Sequence, residues 1–111
     1  MSTALPNYLL THRKRSGLSQ DEIAFLLGTE SGTKISRYET GARTLNLETA
    51  FALQVVYGRA ASDLFAGLFE EVEGNVLNQT KRLRATIQLE PDDVTRSRKL
   101  LAVEAILQRY A

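Results

Sequence analysis

The chain has no cysteine, one histidine and two prolines, and its 14 Lys and Arg nearly cancel its 13 Asp and Glu. Without cysteine there are no disulfides, no thiolate metal sites and no cysteine nucleophile, which fits a reducing compartment. His12 has no second ligand type at metal spacing nearby, so it reads as a solvated helix residue and no metal is expected. A formal net charge of +1 is no polybasic signature. No apolar run approaches the roughly twenty residues of a membrane span. The opening Met-Ser-Thr-Ala-Leu-Pro lacks the basic and apolar regions of a signal peptide, and the expected location is the cytoplasm. Catalytic signatures are missing as well: there is no Gly-rich phosphate cradle, no HExxH and no paired histidines. Glu70, Glu71 and Glu73 form an acidic trio without a base or metal partner and dress a solvated helix. Neither an enzyme nor a cofactor is expected.

What the chain does have is helical periodicity almost everywhere and no sustained strand alternation, so the class is all-α. Its 111 residues, 43% of them hydrophobic, suffice for one modest core plus an appendage. Pro6 stands where a first helical turn tolerates proline, and the helix it opens closes at Gly17. Ser19 followed by Glu22 is a capping box for a second helix that buries Ile23, Ala24, Leu26 and Leu27 before Gly28. Ser31 caps a third helix, to Glu39, that turns Ile35 and Tyr38 inward and Thr33, Lys34, Ser36 and Arg37 elsewhere. Asn46 caps a fourth helix carrying Leu47, Ala50, Phe51, Leu53, Val55 and Val56, and Ser62 a fifth whose Leu64, Phe65 and Leu68 seal the core. Two short capped helices joined by a glycine-containing turn, the second with an outward polar and basic face, are the grammar of a DNA-reading helix-turn-helix. Basic residues also lead in this part of the chain, with seven Lys or Arg against five acids through residue 60.

Beyond this bundle, a helical pattern from Phe65 to Gln88 carries Phe69, Val72, Val76, Leu83 and Ile87, weakened by Gly74. Pro91 breaks it, with Glu90-Pro-Asp-Asp as stop and restart. A last helix, from about Asp93 to Tyr110, sets Leu100, Val103, Leu107 and Tyr110 in near-heptad register. These four are expected either to meet a second subunit or to pack within the chain, with self-association preferred. The expected division is 1–67 for the bundle and 68–111 for the helical extension.

Arg13, Gly17-Leu18-Ser19-Gln20, Ile23-Ala24, Leu27-Gly28, Ile35-Ser36-Arg37-Tyr38-Glu39 and Gly41 follow one another in the order of a known family. Over about residues 7–66 the chain resembles the Cro and phage-repressor helix-turn-helix, also called the xenobiotic-response-element (XRE) type. The resemblance implies a five-helix bundle whose helix 31–39 lies in the major groove. Between Gly28 and Ile35 the chain holds one residue more than the commonest family spacing, so the turn must bulge. Aligned from Ile35, the resemblance implies base reading by Thr33, Lys34 and Arg37. It implies backbone contacts by Gln20, Ser31, Gly32, Ser36 and Arg43. Arg13 and Glu39 match a structural ion pair between helices one and three. The function so implied is a sequence-specific double-stranded DNA-binding regulator of repressor type, acting as a homodimer. The alternative is an antitoxin-like or adaptor module that holds a protein partner through its C-terminal helices.

Overall fold

A computed structural model describes residues 7–29, 31–41 and 45–110. They form seven helices: α1 (Leu9–Ser16), α2 (Gln20–Leu27), α3 (Gly32–Thr40), α4 (Leu47–Tyr57), α5 (Ala61–Leu64), α6 (Ala66–Gln88) and α7 (Val94–Arg109). No strand occurs among the described residues, and the all-α expectation holds. The chain divides into two compact units, Met1–Phe69 and Glu70–Ala111.

In the first unit the local signals act where the sequence places them. The Ser19 hydroxyl accepts from the Glu22 N–H at 3.1 Å, and the Glu22 carboxylate accepts from the Ser19 N–H at 2.9 Å, which satisfies two otherwise orphaned donors at the start of α2. Gly28 ends α2 at φ +74, a left-handed conformation that glycine adopts without penalty, and the Thr29 N–H then reaches back to the Ala24 carbonyl. Asn46 caps α4 by accepting from the Thr49 N–H at 2.8 Å. The core gathers Leu9, Ile23, Ala24, Ile35, Tyr38, Leu53 and Leu64, at least one residue from each of α1 to α5. Leu18, Leu27, Leu45, Val56, Tyr57 and Phe65 pack against it.

Some expectations about this unit are corrected. Leu26, Leu47, Phe51, Val55 and Leu68 are exposed rather than buried. Helices of two or three turns present only a narrow inward stripe, and on α4 that stripe passes through Leu53 and Val56. Ser62 does not cap α5; the cap position is Ala60, and the Gln54 side chain accepts from the Ala61 N–H at 2.9 Å instead. Pro6 lies outside the described residues. At the start of α1 the Asn7 carboxamide accepts from the Leu9 N–H and donates to the Tyr38 carbonyl, which ties α1 to α3.

The second unit holds the greater part of α6 and all of α7. Gly74 does not interrupt α6, because a glycine inside an exposed helix costs only about 1 kcal/mol. The restart after Pro91 is capped by Asp93, which accepts from the Arg96 N–H at 2.8 Å. Buried side chains in this unit are few: Thr80, whose hydroxyl donates to the Val76 carbonyl, Ile87 and Val103. Arg84 reaches Glu104 at 3.0 Å and Lys99 reaches Glu90 at 3.1 Å, bridging the two helices and their turn.

Candidate nucleic-acid interface

The most extensive helix contact in the first unit is between α2 and α3, and it aims the outward face of α3. Ile35 and Tyr38 are buried on the inward side, three residues apart. Thr33, Lys34 and Arg37 are exposed on the outward side, and Ser36 is half-buried between the two sides. A shallow open depression beside them is lined by Ser19, Gln20, Asp21, Gly32, Thr33 and Ser36, where the N-termini of α2 and α3 converge. Lys34 and Arg37 supply cationic donors beside it, the chemistry that matches phosphates and the acceptor pair of guanine.

The start of α3 is held by a residue that sequence reasoning missed. Ser31 occupies the cap position but its side chain makes no capping bond, and it is exposed. The Gly32 N–H instead donates to the Asp21 carboxylate at 2.8 Å, across eleven residues of sequence. A local motif cannot announce such a cap; the one sequence sign was an Asp in the first turn of α2 opposite the turn. Gly32 itself is buried, and its lack of a side chain serves this packing. A Cβ there would lie 2.7 Å from Asp21 Oδ1, 2.9 Å from the Asp21 backbone nitrogen and 2.9 Å from Gln20 Cβ. The Asp21 carboxylate lines the depression and gives its middle a negative charge, while the rim carries the neutral donors of Ser19, Gln20, Thr33 and Ser36. Glu30, in the lengthened turn before Ser31, and Arg43 lie outside the described residues.

Beneath this face sits a charge cluster that sets the angle between helices. Arg13 Nε donates to Glu39 Oε2 at 2.6 Å, Nη2 donates to Oε1 at 3.3 Å, and Nη1 donates to the Leu18 carbonyl. The Gln20 amide donates to Glu39 Oε1 at 3.0 Å. Glu39 is almost wholly buried, with 4% of its side chain exposed, and this planar fork geometry is the kind that compensates a buried carboxylate. The hydrogen bond to Glu39 holds the Arg13 guanidinium protonated to a still higher pH than usual. One amide hydrogen of Gln20 is thus spent on α3, while the second donor of the same group is left for an external acceptor. Tyr57 lies near this cluster, stacked at a tilt on His12 with ring centroids 5.8 Å apart. Its hydroxyl is buried and has no hydrogen-bond partner among the described residues, and burial, with the negative charge of Glu39, pushes it up to about 12.

The four residues of α7 singled out from the sequence are not equivalent. Val103 is buried, Leu100 and Leu107 are half-buried, and Tyr110 is exposed. Among the described residues no group of three or more His, Asp or Glu could hold a metal ion, and no helix is long and apolar enough to cross a membrane.

Comparison with known protein families matches residues 9–64 to the family described as Helix-turn-helix. No curated protein and no solved structure is significantly similar to the chain. The matched span runs from the first residue of α1 to the last of α5 and contains the whole core cluster and the α2–α3 pair. With that span covering half of the sequence, and with the residues that carried the resemblance in place, the chain belongs to the Cro and phage-repressor (XRE) type of helix-turn-helix, a family of DNA-binding domains.

Proposed function

We propose that the protein is a sequence-specific regulator of transcription, of repressor type, that reads the major groove of double-stranded DNA with α3 and acts as a homodimer in the cytoplasm. The observation that carries this reading is the face of α3: Thr33, Lys34 and Arg37 are exposed together while Ile35 and Tyr38 anchor the helix from behind. In this reading Lys34 and Arg37 donate to guanine acceptors and Thr33 meets a thymine methyl. Ser31, Ser36 and the free donor of Gln20 contact phosphates around the depression, and Arg43 adds a further phosphate contact. Gly32 lets α3 sit close to α2 and so brings its first turn to the DNA backbone. A two-fold pair of such units would read two half-sites, about one helical turn apart.

The test is selection of bound duplexes from a random pool, followed by titration of the selected site and of unrelated DNA. Arg37→Ala should lose about 1–3 kcal/mol on the selected site and flatten the preference at one base position. Binding to unrelated DNA should change little. Equal losses on both duplexes would sink the base-reading role of Arg37.

A further inference from the structure

The second unit uses only part of its apolar surface. Along α6, Thr80, Arg84 and Ile87 recur at spacings of four and three on one row, with Thr80 and Ile87 buried and Arg84 paired to Glu104 of α7. That row is the one turned toward α7. Val72, Val76, Gln79 and Leu83 recur at spacings of four, three and four on the neighbouring row, the a/d period of a coiled-coil seam. This second row has no such cover: Val72 is 49% exposed, Val76 50% and Leu83 52%, against 3% for Ile87. On the far side of it, Glu71 and Arg82 stand eleven residues apart, three full turns, and so on a common line of the helix. None of the four ion pairs among the described residues uses either of them, and Arg82 donates only to Gln79, at 3.1 Å.

We propose that the row Val72–Val76–Gln79–Leu83 of α6 is the self-association surface, pairing antiparallel with the same row of a second copy of this chain. The argument is self-complementarity, which a two-fold interface requires because one patch must fit itself. An antiparallel axis near the level of Leu77 sets Val72 against Leu83 of the second copy, which makes an apolar layer at each end, and Val76 against its Gln79 in the two central layers. The same axis brings Glu71 beside Arg82 of the second copy, and by symmetry Arg82 beside its Glu71. A parallel pairing would instead put the Glu71–Arg82 flanks of the two copies on opposite edges of the seam, so that neither pair would form. This inference rests on the dimeric reading proposed above and moves the interface from Leu100, Val103, Leu107 and Tyr110 of α7 to α6.

The test is the oligomeric state of the full chain, without DNA, by sedimentation at low salt over a range of concentrations. Glu71→Arg and Arg82→Glu should each weaken the dimer by about tenfold or more, because two rim pairs per dimer turn from attractive to repulsive. The combined exchange Glu71→Arg with Arg82→Glu should restore affinity to within about threefold, since the pairs re-form with opposite polarity. Val76→Glu, at a half-exposed site, should give a monomer with an unchanged helical circular-dichroism spectrum. A chain that stays monomeric at every concentration, single variants that dimerise like the parent, or a double exchange that does not recover would each overturn the proposal. Duplex binding is scored separately. Rescue of the dimer by the double exchange, in a protein that binds no duplex, supports the α6 interface and removes the regulator reading alone.

Discussion

The two units reach order by different routes. The first closes a core in which seven buried residues from five helices touch one another, and a buried ion pair with a supporting amide sits beneath its outward face. The second, 42 residues against 69, buries three side chains among those described and ties its two helices with ion pairs whose partners remain partly in water. Buried apolar contacts and a desolvated, fully bonded carboxylate hold a geometry to fractions of an ångström, which is what presenting Thr33, Lys34 and Arg37 in register demands. Solvated pairs contribute at most about 1 kcal/mol each.

The comparison can be broken most directly in the cores. Leu53→Ala, at a fully buried position of the first unit, should lower stability by about 2–5 kcal/mol in urea unfolding, whereas Val103→Ala in the second should lose about half as much. Equal losses would mean that the second unit has a core as demanding as the first.

The ion pairs give a finer contrast. Glu39→Ala strands the Arg13 guanidinium and the Gln20 amide in a poorly hydrated site and should cost about 3 kcal/mol. Glu104→Ala, which breaks a pair whose side chains are 34% and 46% exposed, should cost less than about 1 kcal/mol. Comparable losses would show that Glu39 is better hydrated than its burial indicates.

The smallest effect concerns Tyr57. Its hydroxyl is buried with no partner among the described residues, so Tyr57→Phe should be neutral or slightly stabilising near neutral pH. In the folded protein its proton is held from the ordinary 10.0 up to about 12. The folded state then keeps a proton that the unfolded chain gives up, so stability is undiminished below pH 10 and falls as pH rises toward 12. Tyr57→Phe should flatten that fall, and melts across this range with an unchanged slope would remove Tyr57 as its source.

How far the sequence could be read follows from the range of each interaction. Ser19 with Glu22, Asn46, Asp93 and the glycines that close α1 and α2 act within four residues, and each does in the structure what its spacing announces. Periodicity of 3.6 located the helices, and the order of family residues located the α2–α3 pair, because both signals are carried along the chain. Periodicity could not decide which apolar residues are covered. Ile23 and Leu26 lie on one short helix, yet Ile23 is buried and Leu26 exposed, since burial depends on where the neighbouring helices lie. The cap on α3 shows the same limit: Ser31 has the right chemistry, but Asp21, brought across by the fold, makes the bond. By itself, then, the sequence determined helix content, helix ends and family, through interactions spanning one or two turns. Only the tertiary structure decided that Asp21 starts α3, that Gln20 leans on Glu39, and that Ile87 and Val103 are buried while Val72, Val76 and Leu83 stay half exposed. Each of those depends on groups far apart in sequence meeting, or failing to meet, in space.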